Sequence, residues 1–289
     1  MTSKKKLLIE TGVFLFITFS IMMIFWWKAY PGGDLTLEMT GLNNFFYYLA
    51  SFSPAIGCII TRYAFGHGFS DDILFPKFTG HFRGYMLSII LPLAFGVSNC
   101  ILMTVVLGAG FTVKAEGGVL EVLAALSFYS MQTYVAIFIL MGEELGWRGL
   151  LYDRLERLYG PNGSIIVGGI IWGLWHIPPL IGMGLNYGKD APGFPVTNIL
   201  LMCVSCIFTG SMLQMLYKMT GSVVAPIIAH AVIDTVCNPL ASMFLSEKLV
   251  EGKQFQMGLC LTVSAMILGI PCWIYMNRNK WGSMVEGSK

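Results

Sequence analysis

The sequence contains few charged residues. Only 12% of its 289 residues are Asp, Glu, Lys or Arg, against about 25% in a soluble domain, while 55% are hydrophobic. This number of charges is too small to cover the surface of a water-soluble protein of this length. Lipid must therefore be the solvent for much of the surface. The net charge of +2 favours no nucleic-acid partner. Internal repeats, long charge runs and low-complexity tracts are also lacking, which predicts a single transmembrane domain over residues 1–289.

Eight apolar stretches have the length of membrane-spanning helices, for which about 20 apolar residues suffice. They predict an all-α, polytopic integral membrane protein. Their bounds are 9–28, 44–65, 83–107, 120–143, 163–181, 196–217, 222–245 and 256–276. With the N-terminus inside, the inner segments hold thirteen of the 18 Lys and Arg residues and the outer segments hold five. The positive-inside rule therefore predicts that both the N- and C-termini are cytoplasmic.

Ionisable residues within the predicted spans are the candidates for function, because a charge at membrane depth costs a few kcal/mol on insertion scales. Glu143 and Glu144 end the fourth span, His176 lies in the fifth, and His230 and Asp234 lie in the seventh. We measured depth from the connecting turns at about 1.5 Å per residue. Glu143, His176 and Asp234 then lie at similar depth, with His230 about one turn shallower. This agreement predicts a polar cavity inside the membrane.

The two adjacent glutamates have different surroundings. Glu144 and Arg148 are four residues apart with the acid first, which is the orientation that favours an ion pair on one helical face. Glu143 is rotated by about 100° from Glu144 and has no such partner. Glu143 is therefore the better candidate for chemistry, and the Glu144–Arg148 pair for structural support. His230 and Asp234 are also four apart, so the carboxylate can orient the imidazole or both groups can address one substrate group.

Three motifs in this order resemble those of the CPBP family, which includes the CAAX prenyl proteases and bacterial relatives tied to bacteriocin processing or immunity. They are Glu143-Glu144-x-x-x-Arg148, Trp172-x-x-x-His176 and His230-x-x-x-Asp234. The resemblance implies a bundle of about eight helices with a catalytic core at about 120–245. It also implies an intramembrane endopeptidase in which Glu143 and His176 activate water, without a covalent intermediate. His230, with the residue at 234, would stabilise the oxyanion.

Two positions depart from the family pattern. Trp172 stands where the second motif usually begins with Phe, and Asp234 stands where the prenyl proteases resemble each other in having Asn. An ionised carboxylate cannot donate a hydrogen bond to an oxyanion, so Asp234 must be protonated, orient His230 or have another task. For substrates, the resemblance implies a membrane-associated peptide, either lipid-modified and of the CAAX type or a leader or signal peptide. The oligomeric state is not predicted.

Other functions remain open for the same residues. Glu143, His176 and His230 supply the ligand set of a hydrolytic zinc site, with the second glutamate as base. Because no HExxH is present and the ligands lie on three separate helices, we prefer a protease without a cofactor. Buried Glu and His also form proton relays in transporters, although transporters often have repeated halves. A non-catalytic immunity or scaffold protein would use none of these residues for chemistry.

Overall fold

A computed structural model describes residues 3–30, 41–68, 75–76, 78–108, 118–237 and 252–279. These ranges are built of helices and their connections, without a β-strand. The α-helices are α1 Ser3–Ala29, α2 Gly41–Ser51, α3 Ser53–Ala64, α4 Phe82–Leu107, α5 Gly118–Gly146, α6 Tyr152–Trp175, α7 Ile177–Met183, α8 Val196–Thr220, α9 Val224–Val232 and α10 Gln254–Arg278. Two π-helical turns, Trp147–Leu151 and Ile233–Cys237, follow α5 and α9.

The long apolar helices confirm the predicted all-α membrane protein. Among the described residues, four helices are each long and apolar enough to cross a bilayer, namely α1, α4, α8 and α10. A fifth candidate is the run Met131–Trp175 together with Ile177–Met183, which is bent by 43° from it. The predicted number of eight spans is thus not confirmed. The described part of the seventh predicted span is a short apolar helix, Val224–Thr235, and residues 238–245 lie outside the described residues.

Prolines explain why two predicted spans are each divided into two helices. The stretch 44–65 is divided at Phe52, just before Pro54 in the first turn of α3. The stretch 163–181 is divided at His176, where the backbone leaves the helix with ψ near 1° and the prolines of α7 follow. Proline has no N–H for the helical ladder, so it is best tolerated in the first turn of a helix, where that N–H would have no partner. The second break places His176 at the end of α6.

Glycines allow α6 and α8 to pack at close range. A Cβ atom on Gly169 would lie 2.4 Å from the Cα of Ile207, and one on Gly173 would lie 2.6 Å from the Cα of Cys203. Both neighbours are backbone atoms, so no side-chain movement can relieve the overlap. Small residues at such positions are typical of helix contacts in membranes, where close backbone packing drives association. With α9 packed against α4, α5 and α8, this contact holds together the helices that carry the candidate site.

Candidate active site

One cavity of about 340 Å³ collects the four side chains that the sequence singles out for chemistry. Glu143 comes from α5, His176 from the break between α6 and α7, His230 from α9, and Asp234 from the π turn after α9. Both π turns border this site, since one begins three residues after Glu144 and the other contains Asp234. Such local insertions into helices are frequent at functional sites.

Glu143 is held by a tryptophan of the second motif. Its side chain is buried, and its Oε2 accepts a hydrogen bond of 3.0 Å from the indole Nε1 of Trp172. A phenylalanine, which the family usually has at this position, has no N–H to donate. The departure at Trp172 therefore adds a polar contact to the carboxylate and leaves Oε1 for a further partner.

The protonation pattern of His176 follows from its backbone partner. Its Nδ1 lies 2.8 Å from the carbonyl oxygen of Trp172, one helical turn earlier. Because a carbonyl oxygen only accepts, Nδ1 carries the hydrogen and donates it, so Nε2 of the neutral ring carries the lone pair. The ring is further fixed by the edge of Trp175, whose centroid lies 4.9 Å away. His176 is thus oriented to accept a hydrogen bond in the cavity.

His230 is oriented by Glu144 and not by Asp234. Its Nδ1 donates to Oε1 of Glu144 at 2.9 Å, and the same oxygen accepts from Nη1 of Arg148 at 2.7 Å. Glu144 and Arg148 are fully buried, so the expected ion pair is present and has a histidine as a second partner. The Oδ2 of Asp234 lies 3.8 Å from Nε2 of His230, beyond hydrogen-bond distance, and the Asp234 side chain is 49% exposed. Asp234 therefore acts on His230 by charge alone.

Trp172 and Arg148 connect the two halves of the site. The guanidinium carbon of Arg148 lies 4.8 Å from the centre of the Trp172 ring and 4.9 Å from that of Tyr152, which are cation–π distances. The Trp172 ring also meets the His230 ring edge-on at 5.2 Å. A single tryptophan thus contacts Glu143, Arg148 and His230.

Asn186 is a residue of this site that sequence reasoning missed. It lies in the loop after α7 and lines the same cavity as the four predicted residues. Its backbone is left-handed, with φ of 63°, and it is the one residue other than glycine with this conformation among the described residues. The available signal was an asparagine within the short Gly184-Leu185-Asn186-Tyr187-Gly188 segment, because asparagine and glycine are the residues that adopt positive φ.

The zinc alternative requires Glu143, His176 and His230 to converge on one ion. Within the described ranges, no three His, Cys, Asp or Glu side chains are grouped so that they could hold one metal ion. That includes the set Glu143, His176 and His230.

Two comparisons with known proteins match the part of the chain that holds this site. The model of the family described as type II CAAX prenyl endopeptidase Rce1-like matches residues 125–236, which contain all three motifs. Residues 125–236 are therefore similar to this family, which belongs to the CPBP group that the motifs resemble. The resemblance predicted from the motifs is therefore confirmed. A CAAX prenyl protease 2 from Methanococcus maripaludis is 31% identical over 110 residues, which cover 38% of this chain and 40% of that protein. The CPBP match thus spans about two fifths of this curated relative.

Proposed function

We propose that this chain is an intramembrane endopeptidase that hydrolyses a peptide bond of a membrane-associated substrate. The proposal rests on the common cavity of Glu143, His176, His230 and Asp234 within a bundle of apolar helices. Ionisable groups that face a shared cavity inside a membrane protein are functional by default, because their burial in lipid alone would be costly.

In the first step, a water molecule between Glu143 and His176 attacks the carbonyl carbon of the scissile bond. Glu143 takes a proton from this water as general base, while the Nε2 lone pair of His176 accepts a hydrogen bond from it. Trp172 supports both groups, since its indole N–H holds Glu143 and its carbonyl fixes the His176 ring. The water is thereby activated without a covalent bond to the protein.

In the second step, His230 stabilises the negative charge that develops on the carbonyl oxygen. Its Nδ1–H is engaged by Glu144, so its Nε2–H is the group that can donate into the cavity. Carboxylates on both sides of the ring, Glu144 and Asp234, favour the imidazolium that carries both hydrogens. When the tetrahedral intermediate collapses, the C–N bond breaks and Glu143 returns its proton to the leaving nitrogen. The products are a carboxylic acid and an amine, which become a carboxylate and an ammonium group when the acid proton passes to the amine.

For the substrate, we propose a lipid-modified or otherwise hydrophobic peptide that reaches the cavity from the membrane. The name CAAX prenyl protease 2 belongs to the relative described above and agrees with the substrate class that the three motifs imply, so a prenylated CAAX-type peptide is one of the classes to test. Leader and signal peptides are the other. We also propose one transmembrane domain over residues 1–289, a catalytic core at about 120–245 and cytoplasmic termini, as the distribution of Lys and Arg indicates.

The proposal is tested by comparing peptide fragments in cells that express the wild-type chain, Glu143→Gln or Glu156→Gln. Glu156 is a matched control, because it pairs with Lys218 at 2.6 Å and does not line the catalytic cavity. We expect a set of fragments that is present with the wild type and Glu156→Gln and missing with Glu143→Gln. Identical fragments in all three would contradict the mechanism. A cellular phenotype that survives in Glu143→Gln without any cleavage would favour a scaffold or immunity protein.

A further inference from the structure

We propose that the carboxamide of Asn186 donates a hydrogen bond to the scissile carbonyl oxygen and is the second oxyanion donor beside His230. This inference rests on the proposed peptidase function. It assigns to a loop residue the task for which Asp234 lacks a hydrogen when its carboxylate is ionised.

Asn186 lines three cavities of the protein. The catalytic cavity of about 340 Å³ adjoins a second cavity of about 110 Å³ between α6, α8 and α9. Four side chains line both, and they therefore stand where the two cavities meet: His176, Asn186, His230 and Asp234. Asn186 also lines a third cavity of about 420 Å³ beside α4 and α10. A peptide that crosses between these spaces has to pass this residue.

Only some of these four side chains can donate a hydrogen bond to an oxyanion. His176 presents a lone pair at Nε2, since its hydrogen is on Nδ1. Asp234 accepts hydrogen bonds when ionised and repels a negative oxygen. His230 and Asn186 remain as donors at this junction, and Asn186 is the only carboxamide among the described residues that line either cavity. An oxyanion site is most effective with more than one fixed donor.

The backbone around Asn186 is held in place, as a fixed donor requires. Tyr187 is fully buried, and its hydroxyl lies within hydrogen-bond distance of Ser205 and Thr262, at 3.0 and 3.1 Å. Gly258 of α10 packs so closely that a Cβ there would lie 2.6 Å from the carbonyl oxygen of Asn186. The left-handed conformation of Asn186 is thus enforced by its surroundings, and conformations of this kind persist at functional sites for that reason.

The loop is also tied to the catalytic helix break. α7 begins directly after His176 and ends at Met183, three residues before Asn186, so one short helix and the start of the loop separate the two residues. The N–H of Gly188 donates to the carbonyl of Gly184 at 2.7 Å, and the Asn198 side chain donates to the carbonyl of Gly188 at 2.7 Å. These bonds close the loop at its base and fix Asn186 relative to His176.

The test uses Asn186→Gly and Asn186→Asp in purified protein reconstituted in liposomes. Glycine accepts the positive φ and removes the amide, whereas aspartate keeps the shape and replaces the donor by an acceptor. The probe is a fluorogenic peptide built on the cleavage site mapped in the Glu143→Gln comparison. We expect kcat to fall about 10²–10³-fold in both variants with little change in KM, as for loss of one oxyanion donor. The double variant Asn186→Gly with Asp234→Asn has a new amide at the junction of the two cavities. Its kcat should be at least about tenfold higher than that of Asn186→Gly alone, which corresponds to about 1.4 kcal/mol in activation free energy.

The outcomes separate this inference from the function on which it rests. Wild-type kcat in both Asn186 variants, with Glu143→Gln inactive, would overturn the role of Asn186 and leave the peptidase intact. A raised KM with unchanged kcat, or no rescue by Asp234→Asn in a variant that unfolds at the wild-type temperature, would also overturn it. If Glu143→Gln cleaves the probe as fast as the wild type, the proposed function itself fails.

Discussion

Arg148 and Arg157 offer a matched test of how burial strengthens an ion pair in this protein. Each arginine follows an acidic residue by four positions, at 2.7 Å for Glu144–Arg148 and 3.1 Å for Asp153–Arg157. The first pair is fully buried, whereas the side chains of the second are 27% and 47% exposed. Replacing either arginine by methionine removes the charge and keeps an unbranched side chain.

The expected magnitudes differ because only one of the two substitutions leaves a charge buried without its partner. Breaking a buried pair typically costs about 3–5 kcal/mol, and an exposed pair contributes at most about 1 kcal/mol. Arg148 also loses its contacts with the rings of Trp172 and Tyr152, about 0.5–2 kcal/mol. The hydrogen bond from His230 to Glu144 remains and offsets part of the loss. We therefore expect about 3–5 kcal/mol of destabilisation for Arg148→Met and less than about 1 kcal/mol for Arg157→Met.

The assay is reversible unfolding in mixed micelles by titration with dodecyl sulfate, followed by circular dichroism. Adding Glu144→Gln to Arg148→Met removes the carboxylate that has lost its arginine, while the glutamine oxygen can still accept from Nδ1 of His230. The double variant should therefore recover about 2 kcal/mol relative to the single one, a coupling within the range of neighbouring residues. The reasoning is refuted if Arg148→Met unfolds at the same denaturant fraction as Arg157→Met. It is refuted equally if the double variant is no more stable than Arg148→Met alone.

Three further predictions follow from single contacts. Gly169→Ala places a Cβ 2.4 Å from the Cα of Ile207 and should destabilise the protein by about 1–3 kcal/mol. Gly12→Ala is the control, because Gly12 has open space around it, and should be neutral or stabilising by up to about 1 kcal/mol. Equal unfolding curves for the two variants would contradict the tight α6–α8 contact. Trp172→Phe removes the indole N–H from Glu143 and should lower kcat about tenfold in a folded protein, and an unchanged kcat would show that this bond is dispensable. Treatment of the purified protein with chelators should leave the cleavage rate unchanged, and the purified protein should contain well below one zinc ion per chain. Stoichiometric zinc whose removal stops cleavage would establish the metal-dependent alternative.

The membrane architecture could be predicted from the sequence because apolar length decides it. The number of spans could not be predicted, because a hydropathy window detects composition and does not detect a break inside an apolar run. Phe52, before Pro54, and His176, before Pro178, are such breaks. The prolines were visible in the sequence, but whether each starts a new helix or only bends an old one depends on the packing of neighbouring helices.

The grouping of the site residues by depth was predictable, whereas their hydrogen bonds were not. Spacing within one helix predicts which side chains share a face, as for Glu144 and Arg148. The bond between Glu144 and His230 joins residues 86 positions apart and depends on how α5 and α9 are rotated relative to each other. Asn186 was missed for a different reason, because depth can be estimated from the sequence only for residues within predicted spans and this residue lies in a loop.

The central claim is that Glu143 activates water in the common cavity, and the most direct test is the rate of peptide cleavage by purified Glu143→Gln. Glutamine keeps the size of the side chain and can still accept from Trp172, but it cannot take a proton. We predict a loss of about 10²–10⁴-fold in kcat relative to the wild type, with Glu156→Gln unaffected. A Glu143→Gln protein that cleaves within tenfold of the wild-type rate would contradict the account.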